Sequence, residues 1–267
     1  MKLFISSDIE GTCCIADWNE TYPNRPEYTY FSEQMTREVS AVCRGALSCG
    51  FDDILVRDAH EDARNINPSL LPDAEGIKVM RNWTEDPLIM MSGIQNGFDA
   101  CAFTGFHAGA YTDGSPLCHT MSLKFDYMKI NGEVCTEFDV NTYTAAYYNV
   151  PVVFVSGDKS VCEKAKRLNP NIVTVPVVDG TFGATTSVHP NKAVRLIEEG
   201  IKKALSSDLD KCLIKLPKHF DIEIKYLSHI DAERASYYPG MVKKDLKTVT
   251  FSTDDYFEVL RMIMFLM

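Results

Sequence analysis

Two acids, Asp8 and Glu10, stand one residue apart in Ser6-Ser7-Asp8-Ile9-Glu10-Gly11. The run before them, Lys2 to Ser7, is largely apolar and β-prone, with no Gly, Pro or Asn, and reads as a buried first strand. Side chains at i and i+2 of a strand share a face, so both carboxylates would point the same way at the strand's carboxyl end. Two such charges repel unless cations hold them, and Gly11 permits a close turn beside them. The plainer alternative is a helix cap or a solvated loop. His60 follows a second predicted strand in Arg57-Asp58-Ala59-His60-Glu61, where Asp58 or Glu61 could orient its ring. His107 follows another in Thr104-Gly105-Phe106-His107-Ala108-Gly109, among small residues that let backbone or ligand approach. Glu137 is expected late in the second strand of a hairpin, where an acid near apolar neighbours needs a partner.

Each of these residues alone is more often ordinary surface or packing. Their joint placement carries more. Asp8, Glu10, His60 and His107 all fall at the carboxyl ends of predicted strands, which in an open α/β sheet converge on one crevice. Carboxylates mixed with imidazoles suit zinc, with manganese or cobalt as substitutes. With Glu137 added, the ligands exceed what one tetrahedral zinc needs and match a two-metal site with a bridging carboxylate. His119 follows the Gly-, Thr- and Ser-rich segment from Gly109 to Pro116. A histidine on such a loop can serve as general acid or base, or stabilise an oxyanion; otherwise it simply bonds to solvent. Cys13 and Cys14 lie near the acid pair as thiolates, a nucleophile or, the preferred reading, packing. Cys118 is expected to face away from His119. His189 before Pro190 reads as a helix start, and His219 and His229 are given no role.

The elements that must position these groups alternate. Strands are expected at 2–7, 53–57, 77–80, 100–104, 151–155 and 172–178. Helices are expected at 31–49, 87–96, 140–148, 160–168 and 189–205. This rhythm predicts a mainly parallel sheet flanked by helices, a three-layer αβα arrangement. Asn131-Gly132 marks a hairpin between strands at 121–130 and 133–138. After about Ser207 the pattern shifts to an alternating strand at 220–227, a strand at 248–251 and an amphipathic helix at 254–267. The expected division is a metal-binding α/β domain over 1–206 and a smaller α+β module over 207–267.

Composition sets the outer bounds. The chain has 267 residues, 45% of them hydrophobic, enough for a sizeable core. Net charge is −10 without a lysine or arginine stripe, which argues against a nucleic-acid partner. The start lacks the apolar core of a signal peptide, and the longest apolar runs are too short for a bilayer, so no membrane partner is expected. The cysteines number nine, irregularly spaced and without C-x-x-C, which fits reduced thiols in a cytoplasmic protein.

Taken in order, these segments resemble the zinc-dependent D-aminopeptidase family typified by a bacterial dipeptide-operon enzyme. Ser6 to Gly11 matches its S-x-D-x-E-G signature. Asp58-Ala59-His60, Gly105-Phe106-His107 and His119-Thr120-Met121 are similar to its D-x-H, G-x-H and H-T-M elements, and Asn131-Gly132 with Glu137 to its N-G-x(4)-E strand. Asn149 to Val153, Gly157-Asp158, Tyr238-Pro239-Gly240 and Asp254 to Phe257 extend the resemblance along nearly the whole chain. It implies that Asp8, Glu10, His60, His107 and Glu137 ligate two Zn2+ ions per subunit, with Asp8 bridging, and that His119 is catalytic. It further implies release of N-terminal D-amino acids from short peptides by metal-activated water. The implied assembly is a ring-shaped homo-oligomer, a decamer by family analogy, with the C-terminal module at subunit contacts. Cys13 and Cys14 depart from the family pattern. The rival expectations are a two-metal phosphoesterase, which should show cationic phosphate clamps near the site, and a non-catalytic metal-containing peptide-binding protein.

Overall fold

The N-terminal apolar run forms β1 (Lys2–Ser7), and the amphipathic segment after it forms α1 (Tyr28–Ser48), starting three residues earlier than its spacing suggests. This computed structural model describes residues 1–267. The elements that follow are β2 (Asp53–Asp58), β3 (Ile77–Met80), β4 (Ala100–Phe106), β5 (Phe125–Ile130), β6 (Glu133–Val134) and α2 (Glu137–Tyr147). Next come β7 (Val152–Asp158), α3 (Lys159–Leu168), β8 (Val173–Thr181), β9 (Ala184–Ser187) and α4 (Pro190–Leu205). The last are β10 (Phe220–Tyr226), α5 (His229–Ala235), β11 (Val242–Lys243), β12 (Thr248–Thr253) and α6 (Tyr256–Leu266). No helix is long and apolar enough to cross a membrane.

Seven strands make the main sheet in the order β3-β2-β1-β4-β7-β8-β9, parallel except for the β8–β9 hairpin. The chain runs outward from β1 through β2 and β3, then returns to place β4 on β1's other side. The strand order therefore reverses between β1 and β4, and such a switch point opens a crevice at the carboxyl ends. β1 and β4 are apolar on both faces because helices cover the sheet, with α1 and α4 packed on each other and α2 against β4 and β7. The expected mainly parallel sheet flanked by helices is the observed one.

The second sheet is antiparallel, β11-β12-β10-β5-β6. It joins the expected C-terminal strands to a hairpin drawn from within residues 1–206. α6 packs on β10 and β12 and also reaches α2.

Three local expectations are corrected. Residues 87–96 form two 3-10 turns, Ile89–Met91 and Ile94–Asn96, rather than one helix, because Gly93 turns left-handed at φ 104° between them. The second hairpin strand ends at Val134 instead of 138. Thr136 there becomes the N-cap of α2, its hydroxyl accepting from the Asp139 amide while Asp139 accepts from the Thr136 amide. Glu137 thus sits in the first turn of a helix, not on a strand. The β8–β9 hairpin and α5 were not foreseen.

One buried acid sets a pH dependence for the fold. Glu38 on α1 accepts from Gln34 Nε2 at 2.9 Å and from the Cys13 amide at 3.1 Å, while its other oxygen is buried without a partner. Burial outweighs those bonds and pushes its carboxyl up to about 7. Its contribution to stability is full below the unfolded value of roughly 4.3 and is lost as pH rises through the folded value. Glu38→Gln should therefore flatten the denaturation midpoint between about pH 5 and pH 8 and gain up to roughly 3 kcal/mol at the alkaline end. An unchanged pH profile in urea unfolding would remove Glu38 from this role.

Candidate metal centre

The loop after β1 stays against the end of β4: the Asp8 amide donates to Thr104 O and the Gly11 amide to Gly105 O, both at 2.8 Å. Two glycines make that approach possible. A Cβ on Gly11 would lie 1.8 Å from Phe106 O, and one on Gly105, at φ 68°, would lie 2.1 Å from Asp8 O. Asp8 and Glu10 are thereby held over the switch point, both buried. After β2, the Asp58 carboxylate accepts from the amides of Asn65 at 2.6 Å and Ile66 at 2.8 Å, and Asn65 Nδ2 reaches back to His60 O at 2.7 Å. That closed loop fixes His60. His107 directly follows β4, and Glu137 enters from the start of α2.

These side chains meet in one place. His60 Nδ1 lies 3.3 Å from Asp8 Oδ1 and 3.1 Å from Glu10 Oε2. His107 Nε2 lies 3.4 Å from both Asp8 Oδ2 and Glu137 Oε2. Two half-sites result, Asp8 with Glu10 and His60, and Asp8 with His107 and Glu137, and they share Asp8 through its two different oxygens.

The imidazole tautomers follow from the second nitrogen of each ring. His60 Nε2 faces Thr21 O at 3.1 Å, His107 Nδ1 faces Ala108 O at 2.8 Å and His119 Nδ1 faces Leu117 O at 3.0 Å. A carbonyl only accepts, so each of those nitrogens carries the proton. In the neutral rings the remaining lone pairs then point at carboxylate oxygens, an arrangement that needs a cation between them. Glu10 Oε2 and His107 Nε2 are buried without any hydrogen-bond partner, as metal donors would be. The donor set fits divalent zinc. The partner of His60 is not Asp58 or Glu61, as its sequence neighbours suggest, but the distant Thr21 carbonyl.

Without cations the cluster holds protons instead. Burial disfavours imidazolium, but Glu10 and Asp8 together outweigh it at His60, and Glu137 with Asp8 outweigh it at His107, so both titrate well above the usual histidine range. Burial alone would raise Asp8, yet the adjacent protonated rings of His107 and His60 hold it well below the ordinary carboxylate value. Cation binding at such a cluster displaces protons.

His119 is part of the same cluster. Its ring stacks on His107 with centroids 4.4 Å apart, and Nε2 lies 3.4 Å from Glu137 Oε1 and 3.9 Å from Glu10 Oε1. The adjoining Met121 amide donates to Glu137 Oε1 at 2.7 Å, so one segment places both the histidine and the acid. The cavity above has a volume of about 460 Å³ and is walled by Trp18, Tyr22, Trp83, Met90 and Met121. No lysine or arginine lines it. Sequence reasoning passed over Trp18 and Tyr22, although Asp17-x-x-Glu20 is a capping signal that would have placed them on a short turn.

The remaining candidates lie elsewhere. No cysteine shares a ligand cluster. Cys13 donates to Val188 O at 3.0 Å, and burial pushes its thiol up, so it packs rather than ligates. His189 caps α4 as expected, accepting from the Asn191 amide. Exposed His219 contacts Asp221 and Asp254, away from the cavity.

Known proteins share this chain's sequence and fold. The D-aminopeptidase of Bacillus subtilis (strain 168) is 30% identical over 261 residues, which span 97% of this chain and 93% of that protein. The solved structure of the Zn-dependent D-aminopeptidase DppA from Bacillus subtilis, described as a self-compartmentalizing protease, superposes with a TM-score of 0.92 at 28% identity. That match covers 100% of this chain and 96% of the other. Residues 1–265 match the D-aminopeptidase family, peptidase family M55, and the chain belongs to that family.

Proposed function

We propose that Asp8, Glu10, His60, His107 and Glu137 hold two zinc ions, with Asp8 bridging, and that the cavity above them removes N-terminal D-amino acids from short peptides. The observation that carries this is the shared carboxylate: one Asp8 oxygen faces His60 and the other faces His107. Bound zinc supplies Lewis acidity at such a site, polarising a carbonyl and lowering the pKa of a water.

The chain's own groups do the rest. With Nδ1–H tied to Leu117 O, His119 offers Nε2 as the proton carrier. It takes a proton as water attacks the scissile carbonyl and returns it to the leaving amine. Trp18, Tyr22 and Trp83 exclude water along the walls. A phosphoesterase is less well supported, because the cations that could clamp phosphate do not line the cavity. Arg57 is buried beneath Trp83 and donates to Asn82 O, and Arg64 pairs with Asp62. The further proposals are a ring-shaped homo-oligomer, with a decamer as the family analogue, and a cytoplasmic location. Ile230, Tyr237, Leu246 and Phe265, all exposed on the C-terminal part, are apolar surface that subunit contacts would cover. All nine cysteines are free, as in a reducing compartment.

The deciding assay sets zinc-loaded protein against D-alanyl and L-alanyl dipeptides and p-nitrophenyl phosphate. Hydrolysis of the D-peptide well above the other two is expected. Phosphate release without peptide cleavage would replace this reading with the phosphoesterase.

A further inference from the structure

The turn that follows the acid pair reaches the centre twice. Asp17 caps the 3-10 turn Trp18–Glu20, with its Oδ1 accepting from the Asn19 amide at 2.9 Å. Glu20 Oε2 closes the other side, accepting from the amides of Ala16 at 2.6 Å and Asp17 at 3.0 Å. Thr21 ends the turn; its hydroxyl donates to Trp18 O at 3.0 Å and its carbonyl accepts from His60. Two residues carry this turn's aromatic surface: Trp18 and Tyr22 stack with centroids 6.0 Å apart and planes 21° from parallel. The turn is therefore rigid by its own bonds and tied to one proposed ligand.

Trp18 spends that rigidity on His119. The two rings meet edge to face, with centroids 5.3 Å apart and an interplanar angle of 62°. The His119 side chain is otherwise located by its stack on His107 and the single Nδ1–H bond to Leu117 O. It comes from a loop, and its side chain lies 14% exposed. An imidazole hinged at one hydrogen bond and one stacking face can still swing about its χ angles. A third contact from the indole removes that freedom, and edge-to-face pairs of this kind are attractive as well as steric.

We infer that Trp18 is a positioning residue for His119: the capped turn holds the indole, and the indole holds the imidazole with Nε2 facing Glu137 and the cavity. This rests on His119 being the proton carrier proposed above. The Trp18 ring pairs with His119 and Tyr22 and with neither His60 nor His107, so its loss should leave the ligand histidines in place. Misplacing a catalytic group by a fraction of an ångström to an ångström costs rate rather than binding.

The test measures kcat, KM and bound zinc for Trp18→Phe, Trp18→Leu and Trp18→Ala, alone and combined with His119→Ala. Trp18→Ala and Trp18→Leu should lower kcat by roughly 10- to 100-fold with zinc content intact and KM changed far less. Trp18→Phe should recover most of the loss, because a phenyl ring can rebuild the edge contact. In the His119→Ala background Trp18→Ala should cost nothing further, since the group it positions is gone. Crystals of zinc-loaded Trp18→Leu should show the His119 ring in more than one rotamer. A rise in KM with kcat retained would make Trp18 a wall for substrate and overturn the inference, as would a full additional loss in the double variant or loss of zinc. If Trp18→Ala does not fold, the Phe and Leu pair decides the same question. Wild-type turnover in His119→Ala itself would instead sink the underlying role of His119, a separate result.

Discussion

Replacing His119 with alanine should lower kcat by about 10²- to 10⁴-fold while bound zinc stays at the wild-type level. The expectation comes from the ring's environment. Nδ1–H is committed to Leu117 O, so Nε2 alone is free to accept and return a proton. That nitrogen faces Glu137 Oε1 at 3.4 Å and opens on the cavity, and the side chain is more accessible than the buried rings of His60 and His107. A group that must exchange protons with substrate needs that access. The competing possibility is also geometric, since Glu10, His107 and His119 bring donor atoms within 4.8 Å of one another. Elemental analysis of His119→Ala separates the two: full zinc with slow turnover supports proton transfer, whereas zinc loss makes His119 a ligand.

The second large effect should follow metal removal. Chelation should abolish peptide hydrolysis, and added zinc should restore it. Asp8→Asn should reproduce the loss in a form that zinc cannot rescue, because one carboxylate serves both half-sites. The same treatment should lower the thermal midpoint. A ligand that binds the native state alone adds roughly 4 kcal/mol when it is present at 1,000 times its Kd, and stripping it returns that stability. Removing cations also leaves Asp8, Glu10 and Glu137 crowded in a buried pocket, compensated only by protons on His60 and His107. Chelated protein that keeps both its midpoint and its turnover would end the metal-centred account.

Much of the site was legible because its residues sit where strands stop. Asp8, Glu10, His60 and His107 could be placed from three apolar runs, and parallel pairing brings such ends together without further information. Glu137 was placed in the right neighbourhood on the wrong element. The Asn131-Gly132 hairpin signal is strong, and it hid the shorter Thr136-x-x-Asp139 cap that ends the strand and starts α2. The run Leu88-Ile89-Met90-Met91 is apolar throughout and carries no period, and the left-handed backbone at Ile89 and Gly93 is what makes it turns. The carbonyls that fix the three rings, from Thr21, Ala108 and Leu117, leave no trace in side-chain chemistry. Such partners are set by the path of the chain, which a pattern of residue types does not encode.

The hairpin β5–β6 lies in the chain between His119 and Glu137, yet its outer partner is β10, from far downstream. During synthesis, the ends of β1, β2 and β4 emerge early, but β5, in the stretch joining His119 to Glu137, can pair only with the two-residue β6 until Phe220–Tyr226 leaves the ribosome. The sheet that backs the His119–Glu137 stretch is therefore completed only after most of the polypeptide is made.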